Sequence, residues 1–79
     1  MERVVELSHD EKVMAFVASC VEGVARKMGT TYREAYERMN RSGVIDDFCL
    51  GCYDVLHTES REHVTEDVIE CLLNKEAKL

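Results

Sequence analysis

Residues 43–58 read GVIDDFCLGCYDVLHT, and the spacing of the apolar residues in this stretch decides the fold. Ile45, Phe48, Cys49, Cys52, Tyr53 and Leu56 follow one another at three- and four-residue steps, which puts them on one stripe of a helix. The Cys49-x-x-Cys52 pair then lies along a buried helical face and not on a loop. Its thiols are expected to fill a dry interior beside Phe48, as free cysteine commonly does.

Working outward, the spacing predicts an all-α, compact bundle of about four short helices, at about 9–28, 32–41, 44–57 and 66–76, in a single domain spanning residues 1–79. Ser8-x-x-Glu11 and Thr31-x-x-Glu34 are capping boxes that open the first two helices. Gly29 and the Ser42-Gly43 pair close them. Thr65 is expected to be the N-cap of the fourth helix, with Val64 and Ile69 as a hydrophobic staple and residues 58–64 as a loop. Residues 1–7 read as an extended arm, because a lone strand would have nothing to pair with.

The candidate core follows from the same periodicity. Helix one offers Val13, Met14, Val17, Cys20, Val21, Val24, Ala25 and Met28, with Phe16 on the flank. That stripe is wide enough to touch several neighbours, so helix one should be central. Gly23 on its flank implies close approach of another helix, since a mid-helix glycine is otherwise costly. Helix two has a narrow apolar edge of Tyr32, Ala35, Tyr36 and Met39. Helix three is expected to bury Phe48 fully, and helix four Val68, Ile69, Leu72 and Leu73.

With 79 residues, 46% of them apolar and 33% charged, the chain is globular and its one core is small. It has neither Trp nor Pro. No apolar run is long enough to span a bilayer, and MERVVELSHDE is too charged for a secretory signal. A cytoplasmic location is the expectation, with the four cysteines as thiols. The net charge of −6 is unevenly spread. Arg26, Lys27, Arg33, Arg38 and Arg41 form a basic sector, whereas Asp46, Asp47, Asp54, Glu59, Glu62, Glu66, Asp67 and Glu70 form an acidic one with Arg61 alone among them. Such a molecule can pair with a charged protein or with itself.

Three chemistries compete with a purely structural role for these helices. Cys49-x-x-Cys52 has the spacing of half a zinc site or of a redox motif. Zinc needs three or four ligands, and no second tight pair exists; were a metal held, Cys49, Cys52, His57 and Cys71 would be its ligands, with Cys20 and His63 as further donors. A redox pair normally opens a helix, whereas this one lies in the middle of one. No cofactor is therefore expected. Tyr53, Asp54 and His57 cluster on helix three and could orient a general base, but no nucleophile joins them, and His57 also suits a helix C-terminus. Helix two, the Gly43 turn and helix three have the outline of a helix-turn-helix, yet the third helix would present aspartates to phosphate, so nucleic acid is not the expected partner. No phosphate loop or dinucleotide motif is present, and no small-molecule substrate is inferred.

Leu50 lies among Asp46, Asp47, Asp54 and His57 on the face expected to meet water. With Tyr53 beside it, it can centre a contact patch with an acidic rim. The residues alone therefore favour a non-enzymatic module that binds a protein partner or itself through Asp46, Asp47, Leu50, Tyr53, Asp54 and His57.

The order AFVASCVEGVARKMG, TYREAYERM, SGVIDDFCLGCYDVLHT, VTEDVIECL resembles the bacterial family 3791 of domains of unknown function, over residues 16–73. Tyr53-Asp54-Val55-Leu56-His57-Thr58, preceded by a short helix and a glycine turn, carries the resemblance. It implies a small helical bacterial protein with no established activity, and an antitoxin-like or accessory role beside ADP-ribosyltransferase-like toxins. Cys49 and Cys52 belong to this sequence more than to the group, so the resemblance implies no metal function.

Overall fold

A computed structural model describes residues 8–56 and 58–78. The expected arm, residues 1–7, and His57 lie outside the described residues. The chain is all-helical, in the order α1 (His9–Met28), α2 (Tyr32–Ser42), a π-helical segment (Ile45–Leu50), α3 (Tyr53–Leu56) and α4 (Arg61–Glu76).

Local chemistry sets most of the helix ends. Ser8 Oγ accepts from the Glu11 N–H at 3.2 Å, while Glu11 Oε1 accepts from the Ser8 N–H at 2.9 Å. Thr31 and Glu34 repeat the arrangement at the start of α2, at 3.1 and 3.0 Å. Each box satisfies donors that the first helical turn leaves unpaired. Gly29 and Gly43, at φ 69° and 86°, end α1 and α2 in the left-handed region, and their N–H groups donate back to carbonyls of the last turn.

α1 is central, as its broad stripe predicts: it packs against α2, the π-helical segment and α4. Val17, Cys20, Val21, Val24 and Ala25 are buried along it, and they join Ala35 and Met39 of α2, Val44, Ile45, Cys49, Leu56, and Val64, Val68 and Leu72 of α4 in one apolar cluster. The stripe is narrower at its ends than the spacing suggests. Met14 is 67% exposed, and no element among the described residues covers its edge of α1. Tyr32 and Tyr36 flank the buried Ala35–Met39 line and are also exposed, and Leu73 of α4 is 48% exposed.

The third helix departs from a uniform α-helix. Residues 45–50 are wound as a π-helix, a turn follows at Gly51 and Cys52, and α3 is a single α turn. Ordinary four-residue hydrogen bonds bracket the segment, from Asp47 N to Gly43 O at 2.9 Å and from Cys52 N to Phe48 O at 3.0 Å. Gly51 permits the change of winding: a β-carbon there would sit 2.6 Å from the Asp47 carbonyl oxygen. The inward stripe survives. Ile45, Cys49 and Leu56 are buried, and Phe48, Cys52 and Tyr53 are half-buried at its edge. Phe48 is therefore not the fully buried side chain that the spacing implies.

α4 begins earlier than the sequence suggests. Ser60 is its N-cap, accepting from the His63 N–H at 3.2 Å, so residues 61–64 are helical and not loop. Thr65 is an interior residue: it is buried, and its hydroxyl donates to the Arg61 carbonyl at 2.9 Å. The helix extends back because Val64, Val68 and Leu72, four residues apart, all enter the core. Arg38 of α2 grips Glu76 near the far end of α4 through two hydrogen bonds, of 2.9 and 2.6 Å.

Candidate interaction surface

The six residues singled out from the sequence do not all meet. Asp46 and Asp47 are exposed in the first turn of the π-helical segment. Asp47 is turned toward α4, where its Oδ2 accepts from Lys75 Nζ at 2.7 Å. That contact holds the Lys75 ammonium above its usual pKa and ties the segment to α4. Asp47 is thus a strut between elements and not part of a gathered surface, and Asp46 does not join the residues described next.

Leu50, Tyr53 and Asp54 do gather. They line an open concavity of about 530 Å³ with His9, Asp10, Val13 and Met14 of α1. Leu50 is 41% exposed, and with Met14 it places two large apolar side chains on the same opening. Tyr53, half-buried, lines the opening between them. Its ring meets Phe16 edge-on at 5.3 Å between centroids and His9 at 5.7 Å, arrangements favoured by the ring quadrupole. Asp10 and Asp54 give the opening an acidic rim. His57, the remaining residue of the expected patch, lies outside the described residues.

The α1 half of this surface was hidden in the sequence by its own regularity. Met14 falls in register with the core stripe, and what distinguishes it from Val17 or Val21 is that none of the described helices covers it. The usable signal was the excess width of that stripe, since an edge that no neighbour reaches must face outward.

The cysteines sit where the apolar stripe puts them. Cys49 and Cys20 are buried, and Cys52 and Cys71 are half-buried. A hydrogen bond with Cys20, burial, and the neighbouring thiols push the Cys49 thiol far up from its ordinary pKa, so it stays protonated. The same bond lowers Cys20. Burial raises Cys71. A thiol held protonated is a poor nucleophile.

These features define a small all-helical domain with a buried Cys20–Cys49 thiol pair and an exposed apolar seam between α1 and the third helical stretch. The chain belongs to the family described as Protein of unknown function (DUF3791), which matches residues 15–75. No curated protein and no solved structure matches it. No helix among the described residues is long and apolar enough to cross a membrane.

Proposed function

We propose that the domain is a non-enzymatic protein-interaction module of the bacterial cytoplasm that receives its partner on the seam formed by Met14, Leu50 and Tyr53. One observation carries this reading: Met14 and Leu50, from different elements, are both exposed and open onto the same concavity. Isolated exposed apolar residues are ordinary, but two that converge on one hollow beside an aromatic ring form the centre of a contact surface. Asp10 and Asp54 at the rim favour a partner segment whose apolar side chains are flanked by Lys or Arg. An amphipathic basic helix has that chemistry. The family resemblance adds the expectation that the partner is an ADP-ribosyltransferase-like toxin, with this domain as antitoxin or accessory subunit.

The test compares wild type with Leu50→Asp and Met14→Asp. Both side chains are exposed, so the variants should keep the wild-type circular dichroism and thermal midpoint. A partner recovered from the native cell and identified should bind each variant at least about tenfold more weakly in calorimetry, a loss of about 1.4 kcal/mol. Asp54→Lys should slow its association at low salt. Equal affinity of an identified partner for wild type and for the double variant removes the seam as its binding site.

A further inference from the structure

Glu59, in the bend just before α4, lies beside His63 and Asp67 on the first two turns of the helix. His63 Nε2 lies 3.4 Å from Glu59 Oε1 and 3.4 Å from Asp67 Oδ2, and the donor atoms of all three residues lie within 4.8 Å of one another. We propose that these three side chains bind a divalent first-row transition ion, with Zn²⁺ or Co²⁺ as the natural fit.

Two arguments favour an ion over a hydrogen-bonded cluster. The first is geometric. Ligands about 2.0–2.1 Å from a tetrahedral ion are separated by about 3.4 Å, which is the spacing on both sides of His63 Nε2. A hydrogen bond from an imidazole N–H to a carboxylate is shorter, about 2.7–3.2 Å, and one Nε2 carries at most one hydrogen to share between two acceptors. A cation bound at His63 Nε2 is within reach of both carboxylates. The second is preorganisation. The Glu59 N–H donates to the Leu56 carbonyl at 3.0 Å, the His63 N–H to Ser60 Oγ at 3.2 Å, and Asp67 lies inside α4. The three backbones are fixed before any ion arrives, which lowers the ordering cost of binding.

The donor set selects the ion class. One imidazole nitrogen with two carboxylate oxygens suits Zn²⁺, Co²⁺ or Ni²⁺, whereas Mg²⁺ and Ca²⁺ prefer oxygen alone. Glu62 and Glu70 on the same helix add negative potential that draws cations to this end of α4, while Glu66 is paired with Lys27 at 3.8 Å. The site is open to solvent, so the remaining coordination positions fall to water or to a side chain of a bound protein. These ligands are distinct from the cysteines that the sequence motif suggests.

Titration of the reduced, chelator-free full chain with Co²⁺ tests the proposal. Wild type should take up one Co²⁺ with the visible bands of nitrogen and oxygen ligation and no sulfur-to-cobalt charge-transfer band. His63→Ala and Asp67→Asn, both at the surface, should each weaken binding at least about tenfold while keeping the metal-free circular dichroism. Zn²⁺ should raise the thermal midpoint of wild type and leave that of His63→Ala unchanged. A sulfur-to-cobalt band, equal affinity of wild type and both variants, or no uptake at millimolar Co²⁺ overturns the assignment.

Discussion

Thr65 of α4 sits directly against Gly23 of α1: a β-carbon at position 23 would lie 2.4 Å from Thr65 Oγ1 and 3.2 Å from its Cγ2. The missing side chain on one helix makes room for the hydroxyl of the other, and that hydroxyl is in turn held by the Arg61 carbonyl. This contact sets how closely the two longest helices approach.

Gly23→Ala should therefore destabilise the domain by about 1–3 kcal/mol despite the better helix propensity of alanine, because the added carbon overpacks a fixed neighbour. Thr65→Ala leaves only a β-carbon at 3.4 Å, an ordinary contact. In that background Gly23→Ala should be neutral or stabilising. A double-mutant cycle by urea unfolding measures the coupling; additive effects would mean that the two residues do not constrain each other.

Gly51→Ala should be costly for a different reason. The obstacle is the Asp47 carbonyl, which is backbone and cannot rotate away. The loss should again be about 1–3 kcal/mol, and amide chemical shifts across residues 45–52 should change as the π-helical winding rearranges. Unchanged shifts in a fully stable variant would show that the winding does not depend on this glycine.

Burial reverses the ranking that size alone gives to two core residues. Met39 is fully buried, whereas Phe48 keeps part of its ring in solvent. Met39→Ala should cost about 2–5 kcal/mol and Phe48→Ala about 1–3 kcal/mol. Chemical denaturation of the two variants side by side checks the order, and a larger loss for Phe48→Ala would place its ring in the interior.

The Arg38–Glu76 pair gives a pH signature. The guanidinium holds the Glu76 carboxyl below the usual carboxylate range, chiefly through the direct hydrogen bonds. A depressed folded-state pKa adds stability that is present above the unfolded value of about 4.3 and is lost as pH falls through the folded value. Both side chains are partly solvated, so the contribution is modest, about 1 kcal/mol. Glu76→Gln should be less stable than wild type at pH 7, and the gap should close as pH falls below about 4. A gap that persists in full at lower pH would assign the loss to packing instead.

The sequence by itself determined the all-helical class, both capping boxes, the left-handed glycine ends of α1 and α2, and the inward stripe from Ile45 to Leu56. Each of these depends on groups within a few residues of one another, so local spacing is enough to specify them. Of the candidate surface, Leu50, Tyr53 and Asp54 were legible for the same reason, as one exposed edge of one helical stretch. What only the tertiary structure decided is which faces another helix covers. Met14 and Leu73 repeat the core periodicity and are left outside, while Thr65 has the chemistry of a cap and is buried where Gly23 gives it room. Asp47 was drawn away from the expected patch by Lys75, 28 residues further along the chain. Hydrophobic burial and ion pairing are settled by neighbours distant in sequence, and those neighbours exist only once the helices have packed.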